Sequence, residues 1–127
     1  MSKEKIEIEY LLNKISVNIL WNAISTPSGL SGWFADNVNI NDKTYIFTWD
    51  KHEQKAKLIA YRNNLYIRFR WEEENSSKYY FEFRISADEL TRDITLTITD
   101  FADEEEKNDN IDLWNKQIDN LRRAIGI

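Results

Sequence analysis

The sequence predicts an α+β fold: a curved antiparallel sheet of six to seven strands, wrapped on a long C-terminal helix, with two short helices after strand 1. Three observations predict it. The middle of the chain alternates apolar and polar residues at period two, broken by turn residues at short intervals. One hairpin register satisfies both faces of that meander. The last twenty residues carry an apolar stripe at helical spacing.

The elements follow in order. "IEIEYLL" (6–12) puts Ile6, Ile8, Tyr10 and Leu12 on one face of a first strand. Ser16 is placed to cap a short helix with Val17, Leu20, Trp21 and Ile24 on one stripe. In "TPSGLSGWF", Thr26 can cap a second helix, and Pro27 suits its first turn, where the missing N–H costs nothing. Leu30, Trp33 and Phe34 then form its inward face. "NVNINDKTYIFTWD" (37–50) predicts a hairpin turning at Asn41-Asp42, with Tyr45, Phe47 and Trp49 on one side. "KAKLIAYRNNLYIRFRW" (55–71) predicts another, turning at Asn63-Asn64, residues that tolerate left-handed backbone. "EEENSSK" is a longer turn before the strand "YYFEFRIS" (79–86), and "DITLTITDF" (93–101) is the last strand.

The register can be tested against itself. Turning at 63/64 sets Ala60 opposite Ile67, Leu58 opposite Phe69 and Ala56 opposite Trp71. The next turn sets Trp71 opposite Tyr79, Phe69 opposite Phe81 and Ile67 opposite Phe83. The other face then pairs Arg68 with Glu82 and Glu72 with Lys78; only Lys57 against Arg70 sets like charges together. The sheet is therefore expected to be dry on one side and wet on the other.

"DEEEKNDN" (103–110) is a solvated lead-in to the last helix, where acidic side chains favour the N-terminal dipole. Beyond it, Ile111, Trp114, Ile118, Leu121 and Ile125 make one stripe. A helix from about 109 to 125 runs roughly 25 Å, and strands of this length run roughly 23 Å. The helix can therefore cover the dry face.

Composition narrows the function. A chain of 127 residues fits one domain, residues 1–127. It has no cysteine, so disulfides and thiol chemistry are excluded, and its one histidine, His52, makes a zinc site unexpected. The net charge of −5 argues against nucleic acid or an anionic membrane as partner. No apolar run is long enough to span a bilayer and no signal peptide is visible, so a cytoplasmic location is expected.

The stretch "WNAISTPSGLSGWF" (21–34), lying between a strand and a meander that ends in one long helix, resembles the START-like (SRPBCC) superfamily. It is most similar to the branch of the homologues of the activator of heat-shock-protein ATPase. The matching residues are Trp21, Ala23, Thr26, Pro27, Leu30, Trp33 and Phe34. The resemblance implies the helix-grip fold. Trp33 and Phe34 would plug one end of the space between sheet and helix, and that space is the family's usual ligand cavity. It also implies two kinds of partner: an apolar small molecule or lipid, or a protein contacted in a co-chaperone-like role.

By parity, the cavity candidates are Phe47, Trp49, Ala56, Leu58, Ala60, Phe69, Trp71, Tyr79 and Phe81 on the sheet. Trp114 and Ile118 on the helix, and the plug residues Trp33 and Phe34, complete the apolar set. Such residues more often simply pack a core. A void would form at the small residues Ala56 and Ala60. Asp100 shares parity with Ile94, Leu96 and Ile98; it either orients a ligand from inside or ends the strand in water, and its position favours water. His52, beside Asp50 and Glu53, is expected to be an exposed turn residue. No nucleophile–base pair is suggested by spacing, so no catalysis and no cofactor are expected. The reading is a domain that binds a hydrophobic small molecule; the alternative is a protein-interaction module with a filled core, its acidic segments 72–74 and 103–106 facing a basic partner.

Overall fold

The structure, a computed structural model, describes residues 2–127. Its seven strands are β1 (Glu4–Asn13), β2 (Asn37–Asn41), β3 (Thr44–Trp49), β4 (His52–Arg62), β5 (Tyr66–Trp71), β6 (Phe81–Ala87) and β7 (Ile94–Ala102). They form one antiparallel sheet in the order β1-β7-β6-β5-β4-β3-β2. Helices α1 (Val17–Ser25) and α2 (Pro27–Leu30) follow β1, and α3 (Lys107–Ile125) ends the chain. The sheet is thus the six-strand meander that the sequence predicts, and the structure adds the first strand beside the last. Among the described residues, no helix is long and apolar enough to cross a membrane.

Local chemistry explains the helix boundaries. Ser16 Oγ accepts from the Ile19 amide, and Thr26 Oγ1 accepts from the Gly29 amide at 2.9 Å, with Pro27 in the first turn of α2. A β-carbon on Gly29 would lie 2.0 Å from the Asn22 carbonyl oxygen, so α2 folds back on α1 only with glycine there. Helix termini leave carbonyls without intrahelical partners. Here Trp33 Nε1 donates to the Ala23 carbonyl and Tyr45 Oη to the Ser25 carbonyl, both at 2.7 Å. The indole and the phenol thereby finish α1 and tie it to the sheet. Helix α2 stops at Leu30, but turns continue to Phe34, and Leu30, Trp33 and Phe34 are all buried. At the other end of the chain, α3 begins two residues before the expected position, after a short 3-10 turn over Glu104–Glu106, and Gly126 closes it in left-handed backbone (φ 79°).

The β4–β5 hairpin corrects the sequence reading. Arg62 pairs with Tyr66, so the loop has three residues (63–65), with Asn64 left-handed at φ 64°. The extra residue shifts the near pairs: Ala60 faces Arg68 and Tyr61 faces Ile67. A bulge between Leu58 and Ala60 then absorbs one residue on the opposite strand. Beyond it, Leu58 faces Phe69 and Ala56 faces Trp71, as expected. Two single-residue irregularities cancel. Only the segment between them is misread, and there Ala60 turns to the outer face. The β2–β3 turn also moves by one residue, to Asp42-Lys43, because Asn41 pairs with Thr44.

The β5–β6 ladder pairs Phe69 with Phe81, Ile67 with Phe83 and Arg68 with Glu82, as expected, and then stops. Trp71 does not face Tyr79, nor Glu72 Lys78. Arg70 takes the place of a strand partner, donating to the carbonyls of Tyr79 (3.0 Å) and Ser77 (2.7 Å). On the outer face, Glu82 is 4% exposed and accepts from Arg68 at 2.8 Å and from Arg84 at 3.1 Å. A buried carboxylate with charged donors on two sides keeps its hydrogen bonds satisfied.

Candidate functional site

The concave face of the sheet holds the core. Phe47, Phe69, Phe81, Phe83, Leu96 and Ile98 are essentially unexposed on it. Phe34 enters from the loop after α2, and its ring lies 5.1–6.0 Å from those of Trp33, Phe47, Trp49, Phe81, Phe83 and Trp114. Its carbonyl accepts from Trp49 Nε1 (2.7 Å) on β3 and from Gln117 Nε2 (3.2 Å) on α3. Loop, sheet and helix therefore meet at one residue. From α3, Trp114, Ile118 and Leu121 are buried against this cluster.

The void expected beneath Ala56 and Ala60 is absent from those positions. Ala56 has no exposed surface and sits among Tyr45, Trp71 and the core, while Ala60 lies on the other face, across from Arg68. Ala56→Leu should therefore overpack the core and lower stability by about 1–3 kcal/mol in a denaturant melt; a neutral or stabilised variant would mean unfilled space there. Leu58 is half-buried at the edge of the core. Tyr79 also leaves the expected set: it precedes β6, its ring packs 5.3 Å from Phe101, and its hydroxyl accepts from the Lys3 amide.

The open space lies elsewhere. Helix α3 packs over β1 and α1, and this leaves the β3–β5 end of the concave face uncovered. A cleft of about 580 Å³ opens there. Phe34 forms its back, Trp49 and Trp71 its sheet wall, and Leu113 and Trp114 its helix wall. Trp49 and Trp71 are half-buried, their rings 6.1 Å apart, and Leu113 is 58% exposed. His52 and Gln54, both exposed, line the rim from β4. Leu113 and Gln117 also border a wider, more polar groove of about 820 Å³ between the 31–36 loop and α3.

Asp100 stands at the inner end of the cleft, not in water beyond the strand. Its Oδ2 accepts from Trp114 Nε1 at 2.9 Å and its Oδ1 from the Phe101 amide at 2.8 Å. The neighbouring Asn110 side chain also favours its charged form. Burial pushes its carboxyl above the usual aspartate range, and these hydrogen bonds and the charge of Lys3 pull the other way without winning. A raised folded-state value fixes the sign of linkage. The stability contribution is fully present below the unfolded-state carboxyl value and is lost as pH rises through the folded one. The stability difference between wild type and Asp100→Asn should therefore move toward the variant as pH rises through that interval. A difference constant with pH would mean that Asp100 titrates like an exposed carboxylate.

Sequence reasoning placed Trp49, Trp71, Phe34, Trp114 and Asp100 among the candidates, and the cleft brings them together. It missed Leu113, Asn110, Gln117 and Gln54. Gln54 could have been found by parity, since it shares a face with Ala56 and breaks its apolar run. Leu113 lies off the helix's core stripe, which is the signal that it covers something other than the core.

A seven-strand antiparallel sheet with two short helices after its first strand and one long C-terminal helix across its concave face is a helix-grip architecture. The family model of the START-like superfamily domain matches residues 1–127, and the chain belongs to that superfamily. A Bacteroides fragilis protein solved by solution NMR is 49% identical, with TM-score 0.71, over 98% of this chain and 92% of that one. The Aha1 dimer of Colwellia psychrerythraea shares the fold at 16% identity and TM-score 0.77, over 98% and 97% of the two chains. A Bacillus thuringiensis protein does so at 12% identity and TM-score 0.79, over 98% and 100%. No curated protein matches the chain significantly.

Proposed function

We propose that the protein binds a hydrophobic small molecule in the cleft between the β3–β5 end of the sheet and α3, without catalysing its conversion. One observation carries the reading: large apolar side chains, Trp49, Trp71 and Leu113, stay partly exposed around a concave space, although the fold could have buried them. Superfamily membership supports it, because START-like domains commonly hold apolar ligands. Binding without chemistry is the reading favoured by a lining whose titratable side chains, Asp50 and His52 exposed at the rim and Asp100 inside, are not hydrogen-bonded into a nucleophile–base pair among the described residues. The site differs from the expected one in being a cleft open at one end; the middle of the sheet–helix space is filled. That filled middle is also what favours the second reading, a protein-interaction module.

The test is titration with N-phenyl-1-naphthylamine, followed by its fluorescence. Saturable one-to-one binding is expected. Leu113→Asp, at an exposed helix position, should weaken it about tenfold or more, the value of burying one leucine side chain. No saturable binding to the parent protein would overturn the ligand reading and leave the interaction module.

A further inference from the structure

Resting on that cleft, we propose that its ligand is a cation, an apolar body carrying one ammonium group that docks against Asp100. Two acidic side chains line the cleft, Asp50 exposed at its rim and Asp100 at its inner end, and among the described residues neither forms an ion pair. The nearby cation, Lys3, is engaged elsewhere, with its Nζ 2.9 Å from Glu74. Both groups hydrogen-bonded to the Asp100 carboxylate are neutral N–H donors, the Trp114 indole and the Phe101 amide. These hold the oxygens in place, and among the described residues the one cation acting on the charge, Lys3, does so without an ion pair.

The surroundings add to the negative potential. Asn110, which also lines the cleft, has its Oδ1 buried without a donor among the described residues. Four aromatic side chains, Phe34, Trp49, Trp71 and Trp114, line the cleft, and a ring face turned to a desolvated cation attracts it. The whole chain carries a net charge of −5, and an acidic protein concentrates cations at its clefts. A carboxylate that is largely out of water and has no ion pair among the described residues weakens the free protein, and burial has pushed its carboxyl up accordingly. A bound ammonium removes that penalty, whereas a fatty acid or other anionic lipid would double it.

The experiment compares two probes of one shape on the intact chain: 2-naphthylmethylammonium and 2-naphthylmethanol. The ammonium should bind about tenfold or more tightly than the alcohol, the scale of a charge pair formed in a desolvated site. Asp100→Asn should abolish that preference while leaving the alcohol's affinity within about twofold, since the apolar walls are unchanged. A preference absent from the wild type, or retained by the variant, overturns the cationic assignment and leaves the cleft as a site for neutral molecules. If neither probe binds, the cleft reading fails and this one with it. Should Asp100→Asn fail to fold, the wild type decides by carbon NMR. The Asp100 carboxyl resonance should shift saturably with the ammonium and stay in place with the alcohol; the same shift with both overturns the proposal.

Discussion

Phe34→Ala is expected to lower stability by about 3–5 kcal/mol, the range for emptying a buried aromatic site. Its ring is 5% exposed and touches aromatic rings from the loop, the sheet and α3 together. No single neighbour can move in to close the hole, because the neighbours are spread over the loop, β3, β6 and α3, and a site that cannot collapse keeps its cavity. The backbone carbonyl would still tie Trp49 and Gln117, so the loop should hold its course. The void would open into the cleft, and N-phenyl-1-naphthylamine should bind the folded variant more tightly than the parent. A loss below about 1 kcal/mol in a denaturant melt would mean that the ring is not a core member.

Trp33→Ala should cost a similar amount, about 3–5 kcal/mol, through two separable effects. The indole is 5% exposed and packs 5.6 Å from Phe83. It also supplies the hydrogen bond that finishes α1 at the Ala23 carbonyl. Trp33→Phe keeps much of the packing and removes the donor. It should cost about 1–3 kcal/mol, the penalty of a buried carbonyl left without a partner. Equal losses in the two variants would assign the whole effect to the hydrogen bond; no loss in Trp33→Phe would assign it to packing.

The cleft also explains why an acidic group can persist beside apolar walls. Asp100 is held by Trp114, so the residue that builds the helix wall also orients the carboxylate. Losing Trp114 would change both the wall and the hold on its polar end.

Much of this protein is legible in one dimension. The period-two alternation and the stripe from Trp114 to Leu121 set which face of each element is dry, because burial acts on every second or every third to fourth residue. Short turns allow antiparallel neighbours only, so the meander order follows from the chain. The capping residues Ser16 and Thr26, with Pro27, mark the helices by bonds that span three residues. What the tertiary structure decided are the features that depend on counts or distances between elements. A three-residue loop and a bulge are invisible to alternation when they compensate, and so Ala60 turned outward unannounced. The β5–β6 ladder ended where an arginine outcompeted a strand for two carbonyls. Whether space remained between sheet and helix depended on where α3 came to rest, over β1 rather than the sheet's middle. That choice, made by packing between residues a hundred positions apart, left Trp49 and Trp71 facing open space and drew Asp100 out of the solvent. Pattern reports which face of an element is buried; only the assembled packing sets what each face meets and where a gap remains.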